Sequence, residues 1–148
     1  MSFEIREATG GDLDALLSLY AHLHEEERPQ PDRANRAWQA ILADRGHHIF
    51  LGLEDGRPVS SCVLAVITNL TRNARPSGLV ENVVTHPDFR GGGRATALLK
   101  HAVRAAAQAD CYKVMLLTGR KDEATLRFYR GAGFRSEDKT AFIQWLSP

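Results

Sequence analysis

Three consecutive glycines, Gly91-Gly92-Gly93, stand between an apolar run, "LVENVVT", and an Ala/Leu-rich run, "RATALLKHAV". Glycine is costly inside regular structure, so three in a row mark backbone that something must approach closely. A strand that enters a helix through such backbone makes an anion site. The first helical N–H groups lack intrahelical acceptors, and the helix dipole adds positive potential there. With no Cβ in the way, a pyrophosphate can reach those amides. Arg90 and Arg94 add charge at the mouth. The nucleotide-triphosphate loop GxxxxGK(S/T) is absent, and no third glycine stands where the GxGxxG fingerprint needs one. A second candidate lies just upstream. Glu81 is an acid on an otherwise apolar strand, which calls for a reason: a proton-accepting role or a structural ion pair. Strict alternation puts its side chain on one face with Val83 and Thr85, and Asn82 on the other.

The elements that must position these residues are legible in the pattern. "FEIREA" alternates as a half-buried first strand does. Thr9, with Asp12 three residues on, offers a capping box, and Leu13, Leu16, Leu17, Tyr20 and Leu23 follow at helical spacing. Pro29 and Pro31 block continuation of that helix. Asp32 can cap a second helix, with Ala37, Trp38, Ile41 and Leu42 on its apolar face and Gly46 closing it. Asp55-Gly56 is the dipeptide of a two-residue hairpin. "LVENVVT" supplies a further strand after the loop "NLTRNARPSG", and Ala95 to Ala109 reads as a helix. "KVMLLTG" predicts a short strand buried on both faces, "DEATLRFYRGAG" a helix ending at glycine, and "FRSEDKTAFIQWL" two last strands. This is an α/β order, with α and β mixed, in one domain over residues 1–148. A mixed sheet with helices on its faces follows.

Composition narrows the function classes. A net charge of +1, with bases scattered among acids, argues against nucleic acid and membrane surfaces as partners. Cys62 and Cys111 match no metal-ligand spacing and read as two buried, reduced thiols. The charged start "MSFEIREATGGDLDALL" is unlike a signal peptide, and the longest apolar run is far too short for a membrane span. A cytoplasmic protein is expected.

The segment "VVTHPDFRGGGRATALL" resembles the acyl-CoA signature of the GCN5-related N-acetyltransferase (GNAT) family, Arg/Gln-x-x-Gly-x-Gly/Ala, which Arg90, Gly93 and Ala95 match. "VVTHP" is similar to the family's Val-x-Val-x-Pro lead-in, with Thr85 at the second Val. Downstream, "DEATLRFYRGAGF" resembles the second signature through Tyr129, Gly133 and Phe134, with Asp122 where Asn is commoner. The resemblance implies a mostly antiparallel mixed sheet of about seven strands and about four helices, with the fourth and fifth strands splayed. It implies acetyl-CoA as cofactor and a primary amine of a small molecule as acceptor, attacked directly. It also leaves open a protein or peptide N-terminal acetyltransferase, and a non-catalytic acyl-CoA sensor. Homodimers are common in the family, and the apolar "AFIQWL" could pack across a subunit boundary.

Carried over residue by residue, the resemblance implies these roles. Backbone of Val83, Val84 and Thr85 would pair with the pantetheine arm. Amides of Gly91, Gly92, Gly93, Arg94, Ala95 and Thr96, with Arg90 beside them, would take the pyrophosphate. An amide near Val83 or Val84 would polarise the acyl carbonyl, and Tyr129 would be the general acid to the leaving sulfur. Glu81 would be the base acting through water, with His22 and His24 as alternatives, and His86 a loop residue beside the cofactor. Asp122 and Phe128 fall beside the cofactor, although Asp122 could equally cap the helix that starts at Glu123. The acceptor side would be lined by "HEEERPQP", "NLTRNARP" and "SEDKTAF". There His24 and the acids Glu25 to Glu27 could face a cationic amine, and Arg72 and Arg75 could hold a carboxylate or phosphate.

Overall fold

In the computed structural model, residues 2–24 and 28–147 are described. The chain divides into two compact units, Met1–Leu116 and Leu117–Pro148.

The first unit holds one five-stranded sheet in the order β1-β2-β3-β4-β5. The strands are β1 (Phe3–Glu7), β2 (His47–Glu54), β3 (Arg57–Ile67), β4 (Ser77–Thr85) and β5 (Val114–Leu116). β1 to β4 pair antiparallel, and β4 pairs β5 in parallel. Three helices belong to this unit: α1 (Leu13–Tyr20), α2 (Pro31–Ala43) and α3 (Arg94–Gln108). The β2–β3 turn is built on Asp55 and Gly56, both at positive φ (49° and 82°), as the dipeptide predicts.

Each face of the sheet has its own core. Leu16 and Leu19 of α1 and Trp38 of α2 pack on Ile49, Leu51, Val63 and Val84. On the opposite face α3 contributes Leu98, Leu99, Ala102 and Ala106, all fully buried. A Cβ on Gly78 would lie 3.2 Å from Leu64 and 3.3 Å from Val114, so the side chains of the neighbouring strands leave it little room.

Several boundaries differ from the sequence reading. α1 stops at Tyr20, eight residues before Arg28 and well short of the prolines. Pro31 opens α2 instead of blocking a helix, because its fixed φ suits the first helical position. The cap of α2 is Gln30, whose side chain accepts from Arg33 N, and not Asp32. The segment Thr71–Ala74 is one left-handed turn, with Arg72, Asn73 and Ala74 all at positive φ. β5 is half-buried, with Met115 38% exposed, where a fully buried strand was expected.

The second unit contains α4 (Glu123–Gly131). It ends as predicted at a glycine: Gly133 has φ 101°, and Phe134 N donates to Tyr129 O across it. The two final strands are not formed, so the sheet has five strands and not seven. A strand exists only by pairing, and residues 135–147 make no backbone–backbone hydrogen bond among the described residues. Phe142, Ile143, Trp145 and Leu146 are exposed accordingly.

Candidate active site

The glycine loop joins β4 to α3 through a short 3₁₀ turn, Pro87–Phe89. Gly91 and Gly93 take positive φ (83° and 81°), and Gly93 is the residue from which α3 starts. A Cβ at either position would meet nothing within 4 Å, so the loop borders open space. No side chain caps α3, and the first hydrogen bond back to the loop is Ala97 N to Gly93 O. The amides of Arg94, Ala95 and Thr96 have no acceptor among the described residues. They are the orphan donors of a 15-residue helix, and an anion before them is favoured by the same dipole.

Gly92 has a different reason to be glycine. A Cβ there would lie 2.4 Å from Arg94 Nη1. The Arg94 side chain folds back under the loop: Nε donates to Glu54 Oε2 at 2.9 Å and Nη1 to Phe89 O at 2.9 Å. The guanidinium also stacks over the Phe89 ring. The Arg94–Glu54 pair is largely buried and anchors the loop to β2. The charge expected of Arg94 at the mouth is thus committed to the loop's foundation, while its amide faces the opening. Arg90 is exposed and donates through Nε to Thr85 O.

β4 provides two further features. Its pairing with β5 covers only Gly78, Leu79 and Val80, so the edge of Glu81–Thr85 facing away from β3 has no strand partner. That bare edge offers unpaired backbone groups for an extended chain to add to. The second feature is a bulge. β3 residues Ser61 and Val63 pair with Val84 and Glu81, so one residue of β3, Cys62, stands opposite two of β4, Asn82 and Val83. Asn82 sits at φ 50°, which gives the extra residue its left-handed conformation. The bulge reverses the alternation. Glu81 comes to the face of Val63 and Val84, not that of Val83 and Thr85 as strict alternation predicts.

On that face lies a cavity of about 550 Å³ between α1, α2 and the sheet. Glu81 and Asn82 line it together with Tyr20. The sequence pattern presents Tyr20 as one more apolar position on α1. Its hydroxyl is buried, close to the side chains of Ser61 and Asn82. Burial raises its pKa, moderated by the nearby side chains of Ser61 and Asn82. A hydroxyl at a core-facing position was the signal that could have singled it out. Thr85 Oγ1, at the end of the bare edge, is buried and without a partner.

The other expected residues fall as follows. Arg75 holds Asp110 Oδ1 and the backbone oxygens of Asp110 and Cys111, and Arg72 stacks over Tyr112. Neither lines the cavity that contains Glu81. His24 is exposed at the end of α1. His22 and His86 are brought edge-to-face, with ring centroids 4.8 Å apart. The acids Glu25 to Glu27 lie outside the described residues. In the second unit, Asp122 caps α4 by accepting from Thr125 N and Oγ1, the alternative the sequence left open. Phe128 and Tyr129 pack edge-to-face at 4.9 Å. Burial raises the Tyr129 phenol above its ordinary value, so it is a proton donor, not a phenolate, at neutral pH.

A β4 strand paired with β5 only at Gly78–Val80, an open glycine cradle and a cavity with one acid in its described lining fit an acyl-CoA-dependent acyltransferase. The model of the "Acetyltransferase (GNAT) family" matches residues 13–134. The chain belongs to that family, and it is an N-acetyltransferase that uses acetyl-CoA. It is 31% identical to a glucosamine 6-phosphate N-acetyltransferase of Trypanosoma brucei brucei, over 94% of this chain and 93% of that one. A solved protein of Agrobacterium tumefaciens str. C58, with a provisional acetyltransferase description, is 42% identical. It superposes with a TM-score of 0.90 over 96% of this chain and 99% of its own. An aminoglycoside N-acetyltransferase solved in complex with CoA shares the fold alone, at 17% identity. Its TM-score is 0.81, over 99% of this chain and 96% of that one.

Proposed function

We propose that this chain acetylates the primary amine of a small molecule by direct attack on the thioester of acetyl-CoA. The observation that carries the reading is the β4 bulge, which sets Glu81 in the wall of a cavity on the strand whose other edge is bare.

The residues present fit the cofactor. The orphan amides of Arg94, Ala95 and Thr96, with the open backbone of Gly91 and Gly93, suit a pyrophosphate, and Arg90 adds charge. The bare edge at Val83–Thr85 suits an extended pantetheine arm. Acetyl-CoA supplies the activated acetyl group when bound.

The chain's residues then divide the work. Glu81 accepts the proton that the ammonium must lose before it can attack, directly or through one water. A β4 amide at Val83 or Val84 donates a hydrogen bond to the acyl oxygen as negative charge grows there. Tyr129, whose phenol burial holds above its ordinary pKa, would supply the proton to the departing sulfur.

The test couples CoA release to acetyl-CoA binding by calorimetry. Glu81→Gln and Tyr129→Phe are each expected to lower kcat by roughly 10²-fold or more, the usual contribution of a positioned acid or base. Acetyl-CoA affinity should stay within about threefold in both. If either variant keeps full turnover, that residue has no part in proton transfer. If the unaltered protein fails to bind acetyl-CoA, the whole reading falls.

A further inference from the structure

The cavity at Glu81 has a chemical character of its own. Its floor on the sheet is Ile49, Val63 and Ala65, and its walls include Leu17 and Ile41. Against these apolar surfaces the polar groups gather at the β4 end: the Glu81 carboxylate and the Asn82 side chain. Tyr20, Arg33 and His47 are the other polar side chains among the described lining residues. At about 550 Å³ the space is the size of a small-molecule site.

We infer, resting on the reading above, that the acceptor is a primary amine on an apolar body, an arylalkyl or branched alkyl group, and not a phosphorylated sugar. The ammonium is matched by the one carboxylate in the described lining. The body covers aliphatic side chains that would otherwise face water, at roughly 25 cal/mol per Å² of apolar surface removed from it. An amino sugar presents several hydroxyl groups to these same walls. Each would lose its hydrogen bonds to water without replacement, a cost of about 1–3 kcal/mol apiece. A phosphate would need clustered donors. The described lining holds a single arginine, Arg33, and the arginines the sequence offers for a phosphate, Arg72 and Arg75, are placed against Tyr112, Asp110 and Cys111, away from it.

The experiment measures CoA release from acetyl-CoA with two panels. One contains phenethylamine, tryptamine and isoamylamine; the other contains glucosamine and glucosamine 6-phosphate. The apolar panel is expected to give at least tenfold higher kcat/KM. Ala37→Trp, at an exposed position of α2 that lines the cavity, should lower kcat/KM for the apolar amines at least tenfold while calorimetry shows unchanged acetyl-CoA binding. The double variant Arg72→Ala, Arg75→Ala should retain activity. Preference for the sugar amines, or indifference to Ala37→Trp, overturns the inference and leaves the acetyltransferase reading intact. Silence on both panels with acetyl-CoA bound also overturns it. Failure to bind acetyl-CoA overturns both.

Discussion

Asp12 makes its contacts where β1 turns into α1. Its carboxylate takes both guanidinium nitrogens of Arg6, at 2.8 and 3.0 Å, and the Thr9 amide at 2.7 Å. The sequence motif Thr9-x-x-Asp12 predicts the amide contact, but Arg6 could not be foreseen, because its approach depends on how β1 meets the helix. The bidentate pair, opposed by partial burial, lowers the Asp12 pKa to about 2 from an ordinary 3.8. A depressed pKa fixes the sign of the pH dependence. The contribution is complete above about pH 4 and is lost as pH falls toward 2. Its size is on the order of 1–2 kcal/mol, allowing for the exposure of Arg6. Urea unfolding should therefore show Asp12→Asn less stable than the unaltered chain at pH 7, with the gap closing between pH 4 and pH 2. A gap independent of pH would mean that shape, not charge, accounts for the loss.

Elements reveal what a residue pattern conceals. The glycine loop was legible, because three glycines between a strand and a helix have few other uses. The hairpin at Asp55-Gly56 and the glycine stop of α4 were legible for the same reason: positive φ selects their residue types. The β4 bulge was not. "LVENVVT" reads as a plain strand, and one extra residue opposite β3 moves Glu81 to the other face. Asn82 was a faint sign, since Asn tolerates left-handed backbone better than most residues. The missing last strands were illegible too, because alternation in "TAFIQWL" says nothing about whether a partner edge is present. The bulge gives a prediction of its own. Asn82→Gly should keep both the bulge and the activity, within a few-fold. Asn82→Val places a β-branched residue at φ 50°, at a cost of about 1–3 kcal/mol. It should also favour a straight strand that turns Glu81 away from the cavity, so turnover should fall further than stability explains. Equal activity in the two variants would show that the bulge does not position Glu81.

At the scale of the whole molecule, Cys62 reports on how the fold opens. It lies fully buried on β3 against α3, with Sγ 3.9 Å from Leu98 O, and burial pushes its pKa up to about 12. In the native state the thiol stays protonated and shielded from solvent. Cys111, 9% exposed at the end of α3, can be freed by fraying of one helix terminus. Iodoacetamide should thus label Cys111 first. Labelling of Cys62 should wait for cooperative unfolding of both cores, since α3 cannot leave β3 without exposing Leu98, Leu99 and Ala102. A cofactor that binds only the folded chain, as acetyl-CoA would at the proposed loop, ties the two by mass action. At about 100 times its Kd the ligand should slow Cys62 labelling by about 100-fold, and Cys111 labelling far less. Mass spectrometry of the two peptides over time separates the rates. A Cys62 rate that ignores acetyl-CoA would mean that β3 opens locally without the cofactor loop, and the sheet would then not be the rigid base on which the bulge, the cradle and the cavity depend.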